Sequence, residues 1–101
     1  MKKKNLEFGK YLDISTAHIS PKDCSLLAEK SCSVIHYSYV EGYFVHVPPD
    51  DYFLETLRVI KDEGFSKQFT TLLCLAQDNG CNFIRLDRDG AEISGLKKFK
   101  W

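Results

Sequence analysis

The densest group of chemically useful side chains lies between residues 15 and 18. Ser15, Thr16 and His18 bring two hydroxyl groups and an imidazole together, and hydrolases with a nucleophilic hydroxyl need an imidazole base within hydrogen-bond reach. In a continuous strand, however, Ser15 and His18 would point to opposite faces, and hydroxyl groups just before a helix more often act as caps. We therefore expect this group to bind a ligand or partner rather than to catalyse a reaction.

A second polar group, Asp87 and Asp89, stands in the sequence Leu86-Asp-Arg-Asp-Gly90. This sequence resembles the strand-end motif of haloacid-dehalogenase-type phosphatases, in which the first aspartate attacks phosphorus and the second is an acid/base. That family continues after the motif for most of a doubly wound domain, whereas only eleven residues follow Gly90 here. We expect Asp87 and Asp89 to form a turn and a binding surface. The alternative is a small hydrolase or metal-dependent enzyme that combines them with His18.

The histidines supply atoms that could bind a metal ion, because imidazole and carboxylate groups suit zinc. His36 and His46 fall in two predicted strands that flank Glu41-Gly42, and a two-residue turn there would put them on opposite faces of the sheet. Zinc sites often contain a Cys-x-x-Cys pair, and the four cysteines of this chain form no such pair. The sequence therefore predicts no metal site and no cofactor.

The composition predicts one domain that spans residues 1–101, with residues 1–8 as a flexible basic lead-in. A chain of 101 residues of which 44% are hydrophobic can build a core of its own. The sequence shows neither a secretory signal nor an apolar run of membrane-spanning length. We expect a cytoplasmic protein whose cysteines are reduced.

The charge balance bears on the class of partner. Fourteen basic and fourteen acidic residues give a formal net charge of zero, which argues against a general nucleic-acid binder and against a carboxylate-coated DNA mimic. The basic-glycine-aromatic signature of the common RNA-recognition sheet is also missing. We therefore expect a protein partner rather than nucleic acid or a membrane, and the sequence does not predict the oligomeric state.

Local sequence signals predict the first strand and the start of the first helix. Residues 11–15 alternate in the manner of a strand. Ser20 is a suitable N-cap, Pro21 suits the first helical position, and Asp23 places a negative charge in the first turn. These signals predict a strand followed by a helix, with the Ser15 to His18 group at their junction.

Two segments with the composition of strands, residues 34–40 and 43–47, follow this helix. β-Branched and aromatic residues favour strands, and a glycine between them favours a tight turn, so the pattern predicts a β-hairpin. The hairpin carries four aromatic residues, which we expect to pack beneath helices. They are Tyr37, Tyr39, Tyr43 and Phe44.

The remainder of the chain predicts two helices and a strand. Asp50 caps a helix that should end at Glu63, and Ser66 caps a further helix. Residues 82–87 predict the last strand. The order β-α-β-β-α-α-β, with room for a short C-terminal strand, predicts an α+β fold in which helices pack on one side of a mainly antiparallel or mixed sheet.

Three short motifs resemble those of a small bacterial family of uncharacterised domains. They are Ile14-Ser-Thr-Ala-His-Ile19, Tyr43-Phe-Val-His-Val-Pro48 and Leu86-Asp-x-Asp-Gly90, the last followed by a terminal Trp101. The resemblance implies a domain of unknown activity, often encoded on mobile elements and sometimes near antirestriction genes. We therefore expect a non-enzymatic interaction module that makes contact through the Ser15 to His18 junction and the aromatic, basic C-terminus with Trp101.

Overall fold

The computed structural model describes residues 6, 8–30 and 32–100. Within these ranges, four strands and three helices follow one another in the order β-α-β-β-α-α-β, which confirms the predicted order. The strands are β1 (Tyr11–Ser15), β2 (His36–Tyr39), β3 (Gly42–His46) and β4 (Phe83–Asp87). The helices are α1 (Pro21–Glu29), α2 (Phe53–Glu63) and α3 (Lys67–Asp78), and short 3₁₀ turns span Thr16–His18 and Asp50–Tyr52.

The strands form one mixed sheet in the spatial order β1-β4-β3-β2. The first strand is parallel to the last, with Tyr11 beside Phe83 and Ser15 beside Asp87, whereas β3 is antiparallel to both of its neighbours. This arrangement confirms the predicted α+β class, in the form that has a mixed sheet.

All three helices cover one face of this sheet. Side chains alternate between the two faces of a strand, and the buried ones of β1, β3 and β4 belong to a single core together with helix residues such as Leu27, Ile60 and Leu72. Tyr43 lies on this covered face, where its hydroxyl is 3.5 Å from the Cys24 sulfur. Burial and this contact raise the pKa of Tyr43 to about 12.

A buried carboxylate joins the N-termini of α1 and α3. Asp23, which is 0% exposed, completes a capping box with Ser20, since each backbone N–H bonds to the other side chain. The same carboxylate accepts hydrogen bonds from the Ser66 backbone N–H at 2.8 Å and from its hydroxyl at 2.6 Å. Because helix N-termini present unpaired N–H groups and a positive dipole end, one negative charge here stabilises both helices.

The hairpin forms, but its turn differs from the predicted one. Tyr39 pairs with Gly42, so the connecting residues are Val40 and Glu41 rather than Glu41 and Gly42. A Cβ atom on Gly42 would lie only 1.7 Å from the Leu86 carbonyl oxygen. The glycine therefore serves the close approach of β3 to β4 and not the turn.

The segment after β4 folds back across β1 without forming the C-terminal strand that the sequence analysis allowed for. Gly90 donates its N–H to the Asp87 carbonyl, and Ser15 donates its N–H to Ala91. Further along, the Phe99 N–H donates to the Ala17 carbonyl. These isolated bonds tie residues 91–99, which we call the tail, to the end of β1, and no ladder develops between 88 and 100. Within the described part of the chain, every helix is too short or too polar to cross a membrane.

Candidate functional site

Among the residues that the structure describes, no helix lies on one face of the sheet, and we call this the open face. Alternation along the strands places every second residue there, as the register shows. Ten of the positions on this face carry a side chain, and nine of those side chains are aromatic or charged. They are Tyr11, Asp13, Tyr37, Tyr39, Phe44, His46, Phe83, Arg85 and Asp87, with Ser15 and Gly42 at the end of the face that Asp87 occupies.

Aromatic rings in mutual contact fill the centre of the open face. Phe44 lies at the middle, with ring centroids 5.9 Å from Tyr11, 5.8 Å from Tyr39 and 6.3 Å from Phe83. His46 extends the row beyond Phe83, at 5.6 Å. These separations are those of edge-on and tilted aromatic pairs, which fix the rings relative to one another. Tyr11 remains 50% exposed, so the row forms a firm apolar surface in contact with solvent.

A charged network borders the aromatic row at one end. The Arg85 guanidinium donates to Asp13 at 3.2 Å, to Asp87 at 3.1 Å and, through Nε, to the Tyr39 hydroxyl oxygen at 3.2 Å. Tyr39 in turn donates its hydroxyl proton to Asp87 at 2.7 Å. Arg85 is thereby held flat against the sheet with three of its donor directions in use.

The network shifts the pKa values of its members in opposite directions. The hydrogen bond from Tyr39 lowers the pKa of Asp87 below its ordinary value of 3.8, and the Asp89 backbone N–H and the Arg85 charge lower it further. Burial raises the pKa of Tyr39 above 10.0, and its hydrogen bond to Asp87 adds to the rise. Asp87 is therefore an ionised acceptor and Tyr39 a neutral donor across the neutral pH range.

Two recesses include residues from opposite ends of the open face in their walls. The acidic recess, of about 300 Å³, is lined by Asp13, Glu41, Arg85, Asp87, Asp89 and Gly90. The apolar recess, of about 110 Å³, is lined by Ser33, Val34, Ile35, His46, Pro48, Tyr52, Thr56 and Leu73. Tyr39 connects the row to the first recess through Arg85 and Asp87, and His46 connects it to the second.

The structure places the sequence-predicted residue Ser15 at the end of the open face, and Thr16 and His18 in the 3₁₀ turn that follows β1. Ser15 is buried and its hydroxyl caps the 3₁₀ turn by accepting the Ala17 N–H at 3.0 Å. Thr16 opens that turn and is half-buried. The capping geometry accounts for a hydroxyl at position 15 without a ligand.

His18 is fully buried and holds the tail. Its Nδ1 lies 2.8 Å from the Lys97 carbonyl oxygen, and its Nε2 accepts the Ile93 N–H at 2.9 Å. A carbonyl can only accept and an amide N–H can only donate, so the ring proton belongs on Nδ1. Both ring nitrogens are thus in use, and neither is available to take a proton from a substrate.

Asp87 and Asp89 do belong to the open face and the turn that follows it. Asp87 is bonded to Tyr39 and Arg85, and its second oxygen accepts the Asp89 backbone N–H at 2.7 Å. Neither aspartate is hydrogen bonded to His18 within the described residues, so the structure does not join these three side chains in one polar network. Trp101 lies outside the described residues. No cluster of three metal-ligating side chains occurs in the ranges that the structure covers.

The sequence analysis missed the role of the hairpin aromatics. Tyr43 packs beneath the helices as predicted, but the prediction is wrong for Tyr37, Tyr39 and Phe44, which lie on the open face. Alternation along the hairpin shows that these three share a face. Which face the helices cover depends on the sheet order, and that was not available from the hairpin alone.

The comparisons with known proteins are consistent with a family of unassigned activity. Neither the curated proteins nor the solved structures include a match to this chain. A family model described as "Family of unknown function (DUF5983) C-terminal domain" matches residues 11–101. This match begins at β1 and takes in every element of the fold, including the open face and the tail that His18 holds. The chain therefore belongs to the DUF5983 family.

Proposed function

We propose that this DUF5983 domain is a non-enzymatic module that binds an extended segment of a partner protein on the open face of its sheet. The observation that carries the proposal is the row of contacting aromatic rings on a sheet face that no helix covers. Large aromatic side chains give binding surfaces much of their energy because they bury area while losing little conformational freedom. A cluster of them facing solvent is therefore more useful to an interface than to the core.

The rigidity of the open face supports a binding role. The rings sit on the strands of a sheet, and Arg85 is held by Asp13, Tyr39 and Asp87. A surface built on such elements loses little freedom when a partner arrives, so more of the contact energy remains as affinity.

The charges around the face favour protein over nucleic acid. Four carboxylates but only one guanidinium line the acidic recess. Aromatic rings can stack on the bases of single strands, but phosphate groups nearby would meet a surface of their own sign. A peptide segment need not carry negative charge, so it can avoid this repulsion.

A peptide display experiment tests the proposal. A phage library of random 12-residue peptides is panned on the immobilised domain, and binding of selected peptides is measured on Tyr11→Ser and on Phe44→Ala. Tyr11 is half exposed, so its replacement should leave the fold intact, and we expect each substitution to weaken binding at least tenfold. Leu54→Ala is the matched control, because Leu54 is 74% exposed on α2 away from the sheet.

Selected peptides that bind both open-face variants as tightly as the wild type would contradict the proposal, because they would place the binding surface elsewhere. A library that yields no specific binder would remove the support for peptide recognition altogether. Circular dichroism and urea midpoints of each variant separate loss of binding from loss of fold.

The cellular setting of this activity is part of the proposal. We propose a cytoplasmic protein of bacterial mobile elements, possessing a partner in host defence, on the strength of the resemblance in the three sequence motifs. If the protein interferes with that defence partner, cells that carry the gene should survive phage challenge less well, and accept plasmids more readily, than cells that carry the Phe44→Ala version. Equal survival of the two strains would count against a role in defence.

A further inference from the structure

The open face is chemically different at its two ends. The acidic recess lies beyond Asp87 and the apolar recess lies beyond His46, which pairs with Phe83. Asp87 and Phe83 are the two ends of β4, so about 13 Å separates them at the usual rise of a strand. A ligand that contacts both recesses must therefore be extended and several residues long.

The acidic recess contains two carboxylates that the other described residues do not engage. Arg85 is already engaged by Asp13 and Asp87. The Glu41 and Asp89 carboxylates, in the turns after β2 and β4, have neither a hydrogen bond nor an ion pair among residues 6, 8–30 and 32–100. A positive group arriving at this recess would find two carboxylates that no described side chain occupies.

The opposite end is suited to an apolar side chain. The apolar recess is walled by residues such as Pro48, Tyr52 and Leu73, and Ile35 at its edge is 57% exposed. Its volume of about 110 Å³ approaches the size of engineered apolar cavities that hold a ring as large as benzene. His46 lines this recess and also contacts Phe83 in the aromatic row, so it is the residue that the open face shares with the recess. The far walls of the recess include Thr56 of α2 and Leu73 of α3, so the apolar side chain reaches it at the end of the sheet.

We infer that the segment bound by the open face has a basic residue at one end and an aliphatic or aromatic residue four to six positions away. The arginine or lysine lies over the acidic recess, the intervening residues cross the aromatic row, and the apolar side chain enters the apolar recess. This inference rests on the proposed function and adds the chemistry of the partner. The charge of the recess selects the basic end, since complementary charge sets the orientation and register of a bound chain.

Defined peptide libraries test this arrangement directly. Peptides of five, six and seven residues, with three to five random central positions, carry arginine at one end and leucine at the other, in both orders. Matched libraries replace the arginine with glutamate or the leucine with serine. We expect the wild-type domain to retain the arginine and leucine library at least tenfold more strongly than either matched library.

A double charge reversal locates the preference. Glu41→Lys combined with Asp89→Lys changes two turn side chains without touching the core, and we expect it to abolish the preference for arginine while the preference for leucine persists. The matched control is Asp62→Lys combined with Asp78→Lys, which makes the same change of charge on exposed positions of α2 and α3. This control should behave as the wild type.

The outcomes distinguish the inference from the function on which it rests. Equal capture of arginine and glutamate libraries, with capture still lost in Phe44→Ala, would overturn the inference and leave the proposed function standing. Absence of capture from every library would overturn both. Light scattering that shows a dimer broken by Tyr11→Ser would assign the face to a second copy of the chain, and would likewise overturn the inference.

Discussion

Gly42 lies where β3 passes closest to β4, and no larger residue fits there. A Cβ atom at this position would stand 1.7 Å from the Leu86 carbonyl oxygen. We expect Gly42→Ala to lower the free energy of unfolding by at least about 2 kcal/mol, because the two strands must separate to admit the methyl group. Urea denaturation measures the change. Gly9→Ala is the control, since its Cβ would meet Asn82 at an ordinary 3.7 Å, and equal effects of the two substitutions would contradict the argument.

The pKa shifts of Asp87, caused chiefly by its hydrogen bond from Tyr39, and of Tyr39, caused chiefly by burial, make stability depend on pH at both extremes. The folded state lowers the pKa of Asp87 below 3.8, so the stabilisation is present above pH 3.8 and is lost as the pH falls through the lowered pKa. The folded state raises the pKa of Tyr39 above 10.0, so this contribution is complete below pH 10 and is lost as the pH rises through the raised pKa.

Tyr39→Phe should flatten both limbs of this profile. Without the hydroxyl, the pKa of Asp87 returns toward its ordinary value, and the high-pH loss disappears with the titrating group. We expect urea midpoints between pH 2.5 and 4, and again above pH 10, to fall less steeply in the variant than in the wild type. Carbon NMR of the Asp87 carboxyl group gives the pKa shift directly, and an unchanged pKa in Tyr39→Phe would show that another partner causes it.

Residue types alone predicted part of this chemistry. The Asp-x-Asp-Gly pattern predicts a turn, and Gly90 does donate to the Asp87 carbonyl. The bonds from Tyr39 and Arg85 to Asp87 depend on the pairing of β2, β3 and β4, which no local pattern contains. Likewise, the composition around His18 suggested an accessible group, whereas its burial follows from the path of the tail some 75 residues later.

At the scale of elements, the buried Asp23 carboxylate connects the N-termini of α1 and α3 through its hydrogen bonds to Ser20 and Ser66. Asp23→Asn keeps the shape of the side chain but replaces one acceptor oxygen with a donor, which then faces the N–H and O–H donors of Ser20 and Ser66. We expect a loss of about 2 to 4 kcal/mol in the free energy of unfolding. Asp62→Asn on the exposed side of α2 should change it by less than about 0.5 kcal/mol.

Urea denaturation and amide exchange together check this prediction. If Asp23 bridges the two helices, exchange should accelerate in the first turns of both α1 and α3. Acceleration confined to α1 would mean that the capping box acts alone and that the bond to Ser66 contributes little.

Local sequence patterns predicted most of the helices and strands. Ser20, Pro21 and Asp23 predicted the start of α1, because capping is a matter of three or four consecutive residues. The second role of Asp23 lies 43 residues away at Ser66, beyond the range of any cap motif. The hairpin was predicted, but its turn was shifted because the glycine was interpreted as a turn residue instead of a site of close strand contact.

For the molecule as a whole, charge and aromatic surface make opposing predictions about nucleic acid. The exposed rings could stack on bases, while the neutral net charge and the acidic recess disfavour phosphate. We expect no detectable binding of a fluorescent 15-nucleotide thymidine strand by anisotropy at about 0.15 M salt and 100 μM protein. Glu41→Lys combined with Asp89→Lys should acquire measurable binding. Binding by the wild type that weakens with added salt would argue for nucleic acid as the partner.

The open face could not be predicted from local sequence patterns. The α+β class and the order of elements follow from periodicity and punctuation. The pairing of β1 with β4 brings together residues at opposite ends of the chain, and it is part of the sheet order that sets which residues share the open face. The candidate site therefore became visible with the sheet order.

The neighbouring position of the first and last strands also has a consequence for biosynthesis. Ser15 and Asp87 pair across 72 residues, which a ribosome takes about 4 to 14 s to add. The hairpin and the helices can be complete while β1 still lacks β4, its strand partner in the described part of the chain, and the backbone groups of β1 that pair with β4 stay unpaired until then. The nascent chain is thus most exposed to chaperones and to aggregation during its own translation, and that exposure ends when the final strand leaves the ribosome.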